Sequence, residues 1–351
     1  MKKFSHFLHK FILAGTVIVL LTGCVKASGQ QQVSEVREEE EVQIGMIFDN
    51  FVMERWLRDR DVFVSTAKEL GAEVNVQNAN SSVEEQVELI DYFIKKKVDV
   101  IVIVPIDSKP LLGAISKAQE EGIKVISYDR LIVGAEPDLY ISFDNKKVGT
   151  LMGQALSEQL KAYDKVLMIC GPLTDNNVIE VEEGFREVMK EKRIEILDVT
   201  YADEWKPENA SAYIRQNSDL TQTVQGIMCG NDNLAGQAVS ALAEQRLAGE
   251  ILVVGQDADL AACQRIVEGT QYMTVYKPIE KMATCAAEAA VALAKGMEVE
   301  HESYLAVDGK EIPYIKLEPI PVKTENMQEA IIDSGFHLKE DIYLNRPDLM
   351  E

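Results

Sequence analysis

From Val42 onward the chain alternates short apolar runs with longer stretches whose apolar residues recur every three or four positions. The short runs have the pattern of strands buried on both faces, and the longer ones that of amphipathic helices. A strand over Val42–Phe48 leads through Asp49–Arg55 into a helix reaching about Leu70, which Gly71 ends where a left-handed residue is needed. A strand at Glu73–Gln77 is followed by Asn80-Ser81-Ser82, good cap chemistry for a helix at Val83–Lys96. Val98–Val104, rich in β-branched residues, reads as a buried strand, and Lys109–Glu121 as a helix closed by Gly122. Strands at Lys124–Ser127 and Tyr140–Phe143 complete the first half.

The second half repeats the rhythm. Strands are expected at Lys165–Cys170, Ile194–Val199, Gly226–Cys229, Ile251–Gly255 and Thr270–Val275. Helices are expected at about Lys147–Leu160, Val178–Lys190, Pro207–Asn217, Leu234–Arg246, Asp259–Glu268 and from Pro278 to about Lys295. This alternation predicts an α/β fold of two doubly wound parallel sheets with right-handed crossovers. The tail from Ile312 to Thr324 has β character but carries Pro313, Pro319 and Pro321, which suits an edge or crossing strand.

A length of 351 residues fits two domains, each large enough for its own core. The formal net charge of −22 disfavours a nucleic-acid partner or an anionic membrane surface. The amino terminus departs from the globular pattern. Lys2, Lys3 and Lys10 precede the apolar run Phe11–Leu21, too short for a comfortable span, and the run ends in Leu21-Thr22-Gly23-Cys24. This order looks like a bacterial lipoprotein signal, with cleavage before Cys24 and lipid on its thiol. Residues 24–41, ending in a glutamate run, read as a flexible tether. Cys170, Cys229, Cys263 and Cys285 could form two disulfides in an exported protein. They lie in strand or helix patterns without a CxxC, so they read instead as small apolar residues. No histidine or cysteine has zinc-ligand spacing, and no cofactor motif stands out.

In open parallel sheets, ligands bind beyond the carboxyl ends of the strands. Those positions here hold Asp49–Trp56, Asp129-Arg130, Asp175–Asn177, Trp205, Asn231-Asp232, Asp257 and Lys277. Carboxylates and amides suit the hydroxyls of a sugar, and the chain's two tryptophans suit its C–H face. No thiol, histidine or base-paired hydroxyl stands among them, so nucleophilic catalysis is not supported. Singly, each Asp or Asn has an ordinary explanation as a turn or cap residue. Asp144-Asn145 reads as a cap of the following helix. Recurrence at one topological place in both halves carries the functional reading.

The runs DNFVMERWLRDRD (49–61), SYDRLI (127–132), YISFDNKKVG (140–149), DNN (175–177), GQDADL (255–260) and GTQYMTVYKPI (269–279) resemble the bacterial D-xylose-binding proteins. These belong to the ribose/galactose-type periplasmic sugar-binding class, and the similarity spreads over about residues 42–340. The resemblance implies the type I periplasmic binding fold: two Rossmann-like lobes joined by a three-crossing hinge, with the sugar in the cleft. The expected lobes are 42–145 plus about 279–312, and 146–278 plus about 313–351. Carried over position by position, the ligand-binding residues would be Arg55, Trp56, Asp129, Arg130, Asp175, Asn177, Trp205, Asn231, Asp257 and Lys277. Asn176 and Asp232 lie inside the same motifs and could contact ligand or not. Thr174-Asp175 and Cys229-Gly230-Asn231 depart from the family's pattern beside such contacts, where sugar preference would be set.

The expected function is that of a lipid-anchored, extracytoplasmic receptor for a monosaccharide, D-xylose first, and not an enzyme. Its partner would be the permease of an ABC-type sugar transporter or, alternatively, a membrane histidine kinase. A repressor of the lactose-repressor type shares the lobes but needs a basic helix-turn-helix, which a lipoprotein signal and −22 contradict.

Overall fold

The computed structural model describes residues 41–301, 303–307 and 309–350. The expected signal segment, Cys24 and the tether up to residue 40 lie outside the described residues. The strands of the first half are β1 (Val42–Phe48), β2 (Ala72–Asn78), β3 (Val100–Ile103), β4 (Lys124–Tyr128) and β5 (Leu139–Phe143). Those of the second half are β6 (Lys165–Cys170), β7 (Glu195–Tyr201), β8 (Gly226–Cys229), β9 (Leu252–Gln256) and β10 (Met273–Tyr276). Three more close the chain: β11 (Ser303–Val307), β12 (Lys310–Leu317) and β13 (Ile320–Val322).

The first sheet has the order β11-β12-β5-β4-β3-β1-β2 and the second β13-β10-β9-β8-β6-β7. Within each, the five strands of one half are parallel, and the first lies between the second and third. The crevice of a doubly wound sheet opens at that reversal of strand order. Helices cover both faces of each sheet over cores of Val, Ile, Leu, Met and Phe. The chain passes between lobes three times: after β5, at Lys277-Pro278 after β10, and after β12.

The last crossing falls at Glu318-Pro319 and not near residue 312. Ile312 and Tyr314 are buried against Leu131 and Tyr140 of the first lobe, with the Tyr140 and Tyr314 rings stacked at 4.7 Å. That burial holds β12 in the first sheet, parallel to β5. Its other side is covered by β11 in an antiparallel hairpin, so β12 is internal, whereas β13 is an edge strand as expected. A hydrogen bond from the Asp144 amide to the Leu317 carbonyl, 2.9 Å, ties the first crossing to the third.

Two local features place the elements that carry chemistry. Helices Asn145–Gln159 and Asn176–Lys192 pack with their backbones in contact through Gly149 and Gly184. A methyl group at Gly149 would lie 1.9 Å from the Val181 carbonyl oxygen, and one at Gly184 the same distance from that of Lys146. The second feature is the helix Glu54–Glu69, whose buried face begins polar, with Arg55 and Asp59, and becomes apolar at Phe63 and Ala67. Asp59 takes the Tyr128 hydroxyl and, at 3.3 Å, Arg55 Nε, which locks the helix to the end of β4. Burial raises its carboxyl to about 6, against the pull of Arg55 and the bond from Tyr128.

Gly184→Ala should cost about 1–3 kcal/mol in urea unfolding, because the backbones must separate. Gly113→Ala, in open space on the helix Ser108–Glu120, should gain up to about 1 kcal/mol. For Asp59 the folded value lies above the unfolded one, so folding takes up a proton between them. The stability this contributes is complete below about pH 4 and is lost as pH rises through about 6. Asp59→Asn cannot titrate and should therefore gain on wild type by about 1–1.5 kcal/mol between pH 5 and pH 8. A difference that is flat over this range would mean that Asp59 does not titrate there in the folded protein.

Candidate functional site

The first lobe supplies its groups from the ends of β1 and β4 and from one helix turn. Met53 caps the helix Glu54–Glu69, so Arg55 and Trp56 fall in its first turn and face the crevice, both buried. The Arg55 guanidinium lies 4.4 Å from the Trp56 ring centroid. Beyond β4 the backbone turns left-handed at Asp129, φ 62°. That conformation costs on the order of 1 kcal/mol, least for Asp and Asn. Four hydrogen bonds hold it: the Asp129 amide donates to the Ile141 carbonyl, and its own carbonyl accepts from Ser142, Tyr140 and Asn177. The carboxylate is thereby set 2.9 Å from Arg55 Nη2. Arg130 turns the other way and pairs at 2.8 Å with Asp49 and, across the lobes, at 2.8 Å with Asp175.

The second lobe answers from the ends of β6, β7, β8, β9 and β10. Asp175 caps the helix Asn176–Lys192 with one oxygen, accepting from the Asn177 amide at 3.0 Å. Its other oxygen takes Arg130 and, at 3.2 Å, Trp205 Nε1. Asn177 reaches across to Asp129 at 3.2 Å. Trp205, at φ 58°, lies against two glycines. A methyl group at Gly171 would sit 2.3 Å from its ring, so the side-chain-free backbone there is what seats the indole. Asn231 spends its oxygen capping the helix Asp232–Glu244 and leaves its Nδ2 3.8 Å from Met53 Sδ of the other lobe. Asp257, at φ 97°, repeats the Asp129 device: its amide donates to the Val275 carbonyl, and its Oδ1 lies 3.4 Å from Lys277 and 3.7 Å from Arg55.

All ten residues singled out from the sequence come together around one cleft, lined also by Met53 and Gln256. Gln256 had a signal, since it is the polar end of the apolar run ILVVGQ beside Asp257. Met53 had none, because an apolar residue before a helix is ordinary. Asn176 and Asp232 do not line the cleft. Asn176 bonds Glu180, and Asp232 is buried behind the site, accepting from Gln271 and Thr274. Asp144 is the helix cap expected, whereas Asn145 is buried and donates to Asn177 at 3.0 Å, bracing it. Among the described residues, Cys170, Cys229, Cys263 and Cys285 are free thiols; burial raises Cys170 to about 12, which leaves it inert.

The electrostatics of the lining are balanced. Asp129, Asp175 and Asp257 face Arg55, Arg130 and Lys277, three charges against three. Burial alone would raise Asp129, but Arg55, Lys277 and Arg130 hold it below the ordinary carboxylate range. At Asp175 burial outweighs Arg130, and the carboxyl is raised. Among the described residues, seven buried side-chain polar atoms lack a hydrogen-bond partner, and five of them line this cleft. They are the donors Arg55 Nη2 and Trp56 Nε1 and the acceptors Asp129 Oδ2, Gln256 Oε1 and Asp257 Oδ1. Arg55 Nη2 and Asp129 Oδ2 attract each other as charges, but the N–H is not aimed at the oxygen. Such a cleft matches a neutral molecule whose groups both donate and accept. Among the described residues, no cluster of His, Cys, Asp or Glu has the geometry to hold a metal ion.

Comparison with known proteins agrees with this architecture. A family model described as a periplasmic binding protein domain matches residues 44–298. The chain is 40% identical over 317 residues to the D-xylose-binding periplasmic protein of Haemophilus influenzae, covering 88% of this chain and 95% of that one. It is likewise 40% identical over 329 residues to the D-xylose-binding periplasmic protein of Escherichia coli, with 92% and 98% covered. Among solved structures, a carbohydrate transporter solute binding protein from Chloroflexus aurantiacus in complex with D-glucose superposes with a TM-score of 0.78. That match is at 26% identity over 85% of this chain and 98% of the other. With two parallel-sheet lobes, three crossings and a family match over most of its length, the chain belongs to the periplasmic binding protein family.

Proposed function

We propose that this protein is an extracytoplasmic sugar receptor, not an enzyme, that binds D-xylose and delivers it to an ABC-type permease. The observation that carries this reading is the convergence of unmatched donors and acceptors in one charge-balanced cleft. A sugar hydroxyl donates once and accepts up to twice, so one polyol can meet both kinds of orphan. A simple anion or cation could meet only one kind and would upset the charge balance. Trp56 and Trp205 offer ring faces to the sugar's C–H groups. The two relatives named for D-xylose binding support the choice of pentose.

Ligand capture in this reading is a population shift. Groups from both lobes must approach to complete the cleft, so a sugar bridging them favours the lobe arrangement that the permease would recognise. Cross-lobe contacts already present, Arg130 with Asp175 and Asn177 with Asp129, set the register of that approach. Lipid on Cys24 and the tether after it would keep the receptor near its permease and raise the effective concentration.

Calorimetric titration of residues 25–351, the mature chain without its lipidated cysteine, should give tight binding of D-xylose over D-ribose, L-arabinose, D-glucose and D-galactose. Asp257→Ala should weaken xylose by roughly 10–100-fold, the cost of one charge-assisted hydrogen bond. Failure of every sugar to bind the folded wild type would end the sugar-receptor reading. In bacterial cells, the full-length protein should incorporate labelled palmitate, and Cys24→Ala should abolish both the label and retention at the membrane. Absence of label from the wild type, or an unchanged label in the variant, would rule out the lipid anchor.

A further inference from the structure

Gln256 lines the cleft but has no counterpart among the residues singled out from the sequence, and its role follows from the sugar-receptor reading on which it rests. The residue is 4% exposed, and its two amide atoms are used differently. Nε2 donates to the Gly230 carbonyl. A carbonyl can only accept, so this bond fixes which end of the amide faces the neighbouring strand and which faces away. Oε1, the end facing away, is buried and has no hydrogen-bond partner. A buried amide oxygen left in that state is destabilising, and native proteins seldom keep one without a use.

The surroundings define what it could take. The other side-chain oxygens aimed into the cleft from Asp129, Asp175 and Asp257 belong to carboxylates within 4 Å of a cation. Gln256 Oε1 is instead a neutral acceptor with no cation tied to it. We propose that Gln256 is a ligand-contacting, specificity-determining residue whose Oε1 accepts a hydrogen bond from one hydroxyl of the bound sugar. A fixed acceptor demands a donor at one ring position and penalises a ligand lacking it. The Nε2 bond gives the residue a second duty. Gly230 immediately precedes Asn231, and a methyl group there would lie 3.2 Å from the Trp205 ring, so Gln256 also steadies the turn that carries one ligand group and backs another.

Titration with deoxy sugars separates the two duties. D-xylose and its 1-, 2-, 3- and 4-deoxy analogues are titrated calorimetrically into wild type and Gln256→Met, which keeps side-chain length and removes both polar atoms. Ligand contact predicts that the variant's loss for xylose and for three analogues exceeds, by roughly tenfold, its loss for the fourth, which lacks the hydroxyl in question. An equal loss for all five ligands would show that Gln256 acts only by steadying Gly230 and Asn231, and would overturn the contact; so would an unchanged xylose affinity. If the variant does not fold, the side-chain carbonyl ¹³C resonance of Gln256 in wild type serves instead. It should move downfield on adding xylose and fail to do so with one deoxy analogue, and a resonance indifferent to every ligand overturns the proposal. Wild-type binding of xylose in the same series keeps a failure of this contact distinct from a failure of the sugar-receptor reading.

Discussion

Two arginines lie almost wholly out of water at the base of the cleft, and the site is built around keeping them there. A buried guanidinium without carboxylates around it would be prohibitively costly. Arg55 is therefore met by Asp59, Asp129 and Asp257, and Arg130 by Asp49 and Asp175. For both, burial works against the charge, and the carboxylates outweigh it, leaving each arginine more firmly protonated than in water. The network contributes little net stability, because desolvation consumes most of the attraction. What it does supply is direction: each carboxylate is turned to one place and held.

The same network joins the lobes. Asp59, Asp129 and Asp49 belong to the first lobe with both arginines, while Asp257 and Asp175 come from the second. Each arginine is thus a first-lobe cation with one second-lobe partner. Separating the lobes would leave Arg55 with two of its carboxylates and Arg130 with one, an arrangement that water entering the cleft could complete. In the receptor reading proposed above, a second, separated lobe arrangement would then differ modestly in free energy from this one, which is the condition for a small ligand to choose between them.

Backbone conformation does much of the aiming. Asp129 and Asp257 stand at equivalent places after β4 and β9, both at positive φ, and each amide donates to the strand alongside. Strain of this kind is retained where surrounding bonds over-determine it. Glycine works the other way. Gly149 and Gly184 let two helices touch, which brings Asn145 against Asn177, and Gly171 makes room for Trp205.

The periodicity of apolar residues by itself determined the two lobes, since β-branched runs alternating with amphipathic helices leave few alternatives to doubly wound sheets. Several elements, including β1, β6 and the helix Val83–Lys96, match the expected bounds residue for residue. The Asp, Asn, Arg, Lys and Trp at strand ends were also legible, because chain topology sends every such end to one crevice. Tertiary structure alone decided the rest. The hairpin β11-β12 extends the first lobe beyond residue 312 because Tyr314 stacks on Tyr140, a contact between residues far apart in the chain. Folding also separated Asp232 from Asn231 and Asn176 from Asn177, neighbours in sequence that point to different surroundings once a helix begins there. It brought Gln256 and Met53 into the cleft as well. Sequence records which groups sit at the ends of strands. Whether a group's polar atoms are already satisfied depends on partners that only folding brings within hydrogen-bond distance.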